Sequence, residues 1–504
     1  MKKKNKIFER ILELIALISF VILAVFVGSK HEPWADEAQA WLLARDTTIP
    51  ELLQNYMGYE GSPALWHIIL KGFIAIGWTY EYYYLIPIII TSIGIAICEF
   101  KSDLPIYIKL VLPFTYYIFY QYTIVARSYC LVFPTLMYLS LVYNQKTEKP
   151  IQFGIGIAIL LSISSHTCIL AACISFIYGL QVLALTYKFI KKKDDVKKSN
   201  IIKNWIVIFL LLATFLVTAF YVRTPADHVE FRNNEFKKWK AVAVVISDSL
   251  VTNDHDKVVC TAVGVLTIVI LCIAYFRDKR FFEALLLILP VYCFLVLFYY
   301  NKWHIGLIFE IILFVLIIHK KIIKDSILQF IFLIVCCLQV LYSFNTSAYD
   351  YVNQYSASKD IARFINNNSG YVDRKIYGIG YSATAIEPYF DKNIFANKRD
   401  NKGFYSWRED EPAYMSLEEM KDNLPDILII STFSSSSYQT LINRVETSKL
   451  YEKYYFDGAT YVKDAIYENE GFYVYVSNKL LSENKDFKNS EVVILENEQT
   501  SINN

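Results

Sequence analysis

ALWHIILKGFIAIG, residues 64–77, is the stretch whose reading decides the fold. It is apolar, yet it carries His67 and Lys71 and is shorter than the roughly 20 residues that cross a hydrocarbon core. Longer apolar runs flank it, at 11–29, 82–100, 104–120, 128–143, 151–166, 167–189, 201–221, 258–276, 281–300, 304–319 and 326–344. Whether 64–77 crosses sets the side of every later loop. The basic clusters are Lys101, Lys146 and Lys149, then KKKDDVKK at 191–198, RDKR at 277–280 and HKKIIK at 319–324. If 64–77 lies in the outer interface, all of them fall on the cytoplasmic side, as positive-inside sorting requires. That threading predicts about eleven transmembrane helices plus one interfacial segment, a cytoplasmic N-terminus and an extracytoplasmic tail. The chain then divides into a membrane module, 1–344, and a soluble domain, 345–504.

Working outward, MKKKNKIFER and the apolar run to Val27 read as a retained first helix, because no small-residue cleavage site follows. All nine cysteines lie between Cys98 and Cys337, mostly within apolar runs and none in the tail, which is the opposite of a secreted disulfide framework. They read as small packing residues. No basic face with interleaved aromatics stands outside the short loops, so nucleic acid is not an expected partner.

The tail is different in character. Ser358 is placed to cap an amphipathic helix, SKDIARFINN, with Ile361, Phe364 and Ile365 on its apolar side. KIYGIG, DILIIST and GFYVYVS read as strands and SYQTLINRVETSKLYEKYYF as a helix, an alternation that predicts a small α/β domain. The end from ENKDFKNS onward reads as frayed.

The threading gathers the residues suited to chemistry on one outer face: Asp36, Glu37, Glu60, Arg127, His166, Arg223, Asp227, His228 and Lys302-Trp303-His304. The first outer loop is SKHEPWADEAQAWLLARDTTIPELLQNYMGYEGSPALWHIILKG, residues 29–72. Trp34, Ala38, Trp41 and Arg45 recur at helical spacing, which predicts a helix on the membrane surface with its tryptophans in the interface. Asp36 and Glu37 then also suit the N-terminal end of that helix electrostatically.

An acidic pair just outside the first membrane helix, an interfacial helix, and EGSPALW (Glu60 to Trp66) before the next apolar run resemble the GT-C superfamily of membrane glycosyltransferases. The protein O-mannosyltransferases and lipid A aminoarabinose transferases are the nearest named groups, and DEAQAWLLARD and QYTIVARSYCLVF (121–133) look like an uncharacterised bacterial branch. The likeness covers roughly the first 170 residues. It implies a GT-C-like fold and transfer of a sugar from a polyprenyl-phosphate donor to an extracytoplasmic glycan, lipid or protein acceptor at the cell membrane. Relatives carry an Asp near the second outer loop, where this sequence has Arg127 and Ser128. A second carboxylate role therefore falls to Glu37 or Glu60.

The chemistry assigns the roles. Asp36 is the candidate base for the acceptor hydroxyl, with Glu37 or Glu60 as orienter or metal ligand. Arg127 suits the donor phosphate through its planar guanidinium; Lys302, His304, Arg223 and His67 are further candidates for substrate binding. For Arg127, Arg223 and Lys302 the competing role is snorkelling to headgroups, and for His166 a polar turn. The sequence requires no cofactor, although a divalent metal is compatible with the acids. Two other classes fit parts of the pattern: a transporter or flippase of lipid-linked glycans, for which Glu310 within an apolar run is the best argument, and a membrane scaffold whose outer domain binds.

Overall fold

The structure is a computed structural model that describes residues 2–191, 197–228, 245, 247–251, 257–276, 278–298, 302–398, 401–408, 424–432, 438–460 and 469–483. The end from Asn484 onward lies outside them. Helices of ten residues or more are α1 (Lys2–Gly28), α2 (Ala35–Asp46), α3 (Leu65–Ala75), α4 (Leu85–Lys101), α5 (Val132–Val142), α6 (Pro150–Leu161), α7 (Ser165–Ile190), α8 (Lys198–Tyr221), α9 (Lys257–Tyr275), α10 (Phe281–Leu297), α11 (Lys302–Ile318), α12 (Ser326–Val352), α13 (Ser358–Asn367) and α14 (Gln439–Ser448).

Among the described residues, five helices are long and apolar enough to cross a membrane: α1, α4 with the turn before it, α7, α8 and α12. Their packing is inside-out relative to a soluble protein. In α1, Ala16, Phe20, Ala24 and Val27 are buried at helical spacing, whereas Ile7, Ile11, Ile15, Ile18 and Ile22 are exposed. A stripe of bare isoleucines on a helix long and apolar enough to cross a membrane suits a face turned to lipid. The chain is thus a helical membrane protein. Central α11 is buried nearly all round, with Gly306 so close to Tyr117 and Tyr122 that a Cβ there would clash.

Helix α3 has 11 residues, about 16 Å at 1.5 Å per residue, roughly half the hydrocarbon thickness. Lys71 on it donates to the carbonyls of Ala44 (3.0 Å) and Thr47 at the C-terminal end of α2, where a cation is favoured. The run at 104–120 is not one helix. A helix over Ile106–Val111 gives way at Pro113, which lacks an N–H, to a wide π-type helix over Tyr117–Ile124.

The tail holds a four-stranded mixed sheet, β1 (Ile376–Ile379), β2 (Ile427–Ser431), β3 (Tyr451–Phe456) and β4 (Phe472–Ser477), in the order β1-β2-β4-β3. β1 and β2 are parallel and the other pairs antiparallel. One face packs Ile427, Ile429 and Val474 on α13; the other packs Leu428, Ile430 and Tyr475 on α14. Being covered on both sides, β2 is buried throughout, as its continuous apolar run requires.

Two expectations are corrected here. The helix expected over 437–456 ends at Ser448, and YEKYYF forms edge strand β3, where alternate residues need only half-burial. Ser358 does not cap α13; its hydroxyl donates to Glu32 at 3.2 Å. The apolar side of α13 is as expected, with Ile361, Phe364 and Ile365 buried. The eight described cysteines are free.

Candidate active site

Helix α2 carries the acidic pair, and it is not a surface helix. Trp34 and Trp41 are buried, as are Ala35, Ala38 and Leu42 to Ala44. The tail covers it: the segment Tyr381–Tyr389, a 3-10 helix, packs along α2. Polar contacts fasten the two. The Ala35 amide donates to Glu470 at 3.0 Å, and Gln39 exchanges two 2.8 Å hydrogen bonds with the Tyr405 backbone. Arg45 donates to the Phe390 carbonyl at 2.6 Å, and Asp46 accepts from the Gly403 amide at 3.0 Å. Glu51 pairs with Lys402. An even distribution of apolar residues around α2 suits a helix covered on all sides.

Asp36 and Glu37, adjacent in sequence, face different surroundings. Asp36 Oδ2 meets Arg127 Nη1 at 2.6 Å, and Oδ1 accepts from the Tyr381 hydroxyl at 2.8 Å. The pair is half-buried, with side-chain exposures of 32% for Asp36 and 24% for Arg127. The Arg127 guanidinium lies 5.9 Å from the centre of the Trp303 ring. Glu60 accepts from Gln39 at 2.8 Å and from the Trp407 indole. Loss of solvent, with Asp36 adding to it, pushes its carboxyl up to about 7, although Gln39 and Arg127 oppose the rise. Gly61, at φ +58°, makes the left-handed turn that ends this short helical segment before Pro63.

Glu37 is fully buried. One oxygen accepts from the Ala126 amide at 2.6 Å, and the other from Trp34 N and His31 Nε2, both at 3.2 Å. The opposite nitrogen of His31 donates to Asp350 at 2.7 Å. Burial works against the charged imidazole, but Asp350 and Glu37 hold the His31 pKa well above its usual value. Glu37–His31–Asp350 is a sealed ionic triad that ties the end of α1 to α2 and α12.

The remaining candidates fall into three places. His304 is buried and stacks on His166 at 4.5 Å, with the Tyr129 ring 5.6 Å away. His166 is therefore a buried residue in the first turn of α7, not a polar surface turn. His67 is buried on α3, and its Nδ1 has no partner among the described residues. Arg223 is exposed just past α8, with its carbonyl facing Gly58; among the described residues its guanidinium makes no contact with the acidic pair. Lys302 begins α11, and its side chain lies outside the described residues. Asp227 accepts from Tyr59 at 2.7 Å, and His228 meets the Tyr59 carbonyl at 3.1 Å, forming a rim beside Glu60.

The three carboxylates diverge rather than converge: Asp36 to a guanidinium, Glu37 to backbone amides and an imidazole, Glu60 to an amide and an indole. Among the described residues, no three His, Cys, Asp or Glu side chains gather to hold a metal ion. What the arrangement can do is accept a proton at Asp36 or Glu60 within reach of a guanidinium. Tyr381, Tyr405 and Trp407 lie above the acids with ring centres 4.8–5.4 Å apart. Sequence reasoning missed these three, along with His31 and Asp350. Only His31 gave a signal, as a histidine in the same loop as the acidic pair. No family model matches the chain, and no curated protein matches it significantly.

Proposed function

We propose that the chain is a GT-C-like glycosyltransferase with about eleven membrane crossings, moving a sugar from a polyprenyl-phosphate donor to an extracytoplasmic acceptor. The observation that carries the reading is the half-open pair Asp36–Arg127, a proton acceptor 2.6 Å from a phosphate-suited cation, beside Glu60. In the reaction the acceptor hydroxyl attacks the anomeric carbon. A new glycosidic C–O bond forms as the C–O bond to phosphate breaks. The hydroxyl proton passes to Asp36, and the electron pair leaves on the polyprenyl phosphate. Arg127 turns from Asp36 to that phosphate, which frees the base as the donor binds.

The expected topology has α3 in the outer interface, the N-terminus in the cytoplasm, and 345–504 outside as a separate domain. In a cysteine-free background, cysteine at Thr447 should react with a membrane-impermeant maleimide in intact cells and cysteine at Ser199 should not; reversed labelling rejects the sidedness. The activity test is transfer from synthetic polyprenyl-phosphate sugars by the reconstituted protein. Glu310 favours one rival: it is buried in α11, and neither carboxylate oxygen has a partner among the described residues, as in a proton-coupled transporter. Donor movement between leaflets without any transfer would put that reading first.

A further inference from the structure

The opposite end of α11 from the acidic pair carries a second site that the transfer reading does not use. His319, just past α11, lies about 22 Å along the axis from His304, at 1.5 Å per residue. There α9, α10 and α11 enclose an apolar cavity of about 220 Å³ lined by Leu271, Cys272, Ala284, Ile288, Ile308 and Ile312. Ile268 and Cys272 also line a wider cleft of about 740 Å³ along α9. Asp278 and Lys321 join that cleft to a polar one of about 600 Å³, lined also by Arg280, His319, Lys324 and Asp325. The three therefore adjoin one another through shared walls, with an apolar slot at one end and a charged mouth at the other.

The charges at the mouth favour an anion. Asp278 is paired with Lys321 at 2.7 Å. Asp325 accepts from the amides of Ile327 and Leu328 at 3.0 and 3.2 Å, capping α12. His319 is held by the Tyr275 hydroxyl and Glu283, at 3.0 and 3.2 Å. Arg280 and Lys324 are exposed beside these compensated groups: among the described residues, Asp278, Asp325 and Glu283 are all engaged, and Arg280 and Lys324 are the cations of the mouth with no carboxylate partner.

We propose that this path binds an anionic phospholipid from the surrounding leaflet, with its chain in the slot between α9, α10 and α11 and its phosphate between Arg280 and Lys324. An apolar slot joined through shared walls to a cationic mouth matches both halves of such a molecule, whereas a free anion would leave the slot unused. A cationic or zwitterionic headgroup gains less there.

Native mass spectrometry of the full-length protein released from nanodiscs tests this, as phosphatidylcholine is replaced stepwise by phosphatidylglycerol. The wild-type protein should retain phosphatidylglycerol in preference to phosphatidylcholine. R280A/K324A should lower that retention roughly tenfold with an unchanged thermal midpoint in pure phosphatidylcholine. Cys272→Phe, which fills the slot and leaves the mouth intact, should lower it as well. Equal retention of the two lipids, or retention unmoved by either variant, overturns the proposal. So does stripping of the lipid by millimolar inorganic phosphate, which would make the mouth a simple anion site. Transfer activity is not read, so this outcome is independent of the proposed function.

Discussion

Asp36 and Glu37 are neighbours in one helix turn, and the structure uses them in opposite ways. Glu37 belongs to a sealed region, the triad with His31 and Asp350, whose side chains are 0%, 2% and 4% exposed. Asp36 belongs to a half-open region, where its partner Arg127 lies over the half-buried Trp303. A buried charge fully matched by fixed donors is an anchor, since leaving it unmatched costs several kcal/mol. A half-buried carboxylate held by a guanidinium and a tyrosine hydroxyl can exchange the guanidinium for a substrate. The difference teaches that an acidic pair in a sequence divides into a structural and a chemical member according to which residue points into the helix packing.

The largest expected effect separates the two. Asp36→Asn should lower transfer from a polyprenyl-phosphate donor by roughly 10²–10⁴-fold, the usual range for losing a general base, with the thermal midpoint nearly unchanged. Full activity in this variant moves the base to Glu60. His31→Ala should act on the other side of the comparison. It leaves Glu37 and Asp350 buried without their shared cation, a loss of about 3–5 kcal/mol, seen as a lower thermal midpoint in detergent. The sign with pH follows from the raised folded pKa. The stabilisation is fully present below the unfolded value near 6.5 and is lost as pH rises through the folded one. The gap between wild type and variant should therefore be widest at mildly acid pH; a gap that grows with alkalinity breaks the triad assignment.

Much of the fold is legible because hydrophobic run length and period are local properties. The apolar helices, strands β1, β2 and β4, and the apolar face of α13 are read directly from such patterns. The misreadings come from long-range cover. Trp34 and Trp41 look interfacial in sequence, yet Trp34 packs on Trp303 and Tyr355 and Trp41 on Tyr80 and Tyr83, while Tyr381 and Ala385, nearly 350 residues later, cover Ala35 and Ala38 of the same helix. YEKYYF continues a plausible helical pattern until β4 supplies its edge partner. In the site, Asp36, Arg127 and Glu60 were legible as outward-facing charges between apolar runs. Tyr381, Trp407 and Asp350 were not, because nothing local in the tail distinguishes them from packing residues. His304 illustrates the converse: a histidine at a helix mouth reads as a phosphate ligand, but stacking on His166 buries it.

A smaller effect sharpens the half-open side. If Arg127 exchanges Asp36 for the donor phosphate, Arg127→Ala should weaken kcat/KM by about 10–100-fold, the loss of one charge-assisted contact. Arg127→Lys should recover only part, since ammonium lacks the planar fork. Competition assays with a polyprenyl phosphate lacking sugar should show the same order. Normal kcat/KM in Arg127→Ala would assign the guanidinium to Trp303 and the headgroups alone.

The smallest effect concerns Glu60, which lies between the two regimes. Its folded pKa of about 7 stands above the usual 4.5 because burial and Asp36 disfavour the charge. The folded protein therefore keeps a proton that the unfolded chain has released, and stability falls as pH rises from about 4.5 to 7 and then levels. At 1.36 kcal/mol per pH unit the bound is about 3 kcal/mol, and partial solvent access reduces it to about 1–2 kcal/mol. Glu60→Gln keeps an oxygen for Gln39 and removes the charge, so the variant should be the more stable protein at pH 8 and indistinguishable at pH 4. Asp36→Asn removes a neighbouring negative charge, so it should move the wild-type transition to lower pH. Thermal midpoints across pH for wild type and both variants read this without any activity assay. An unshifted transition in Asp36→Asn would mean that the two carboxylates do not feel each other, and Glu60 would then belong with Glu37 among the structural acids.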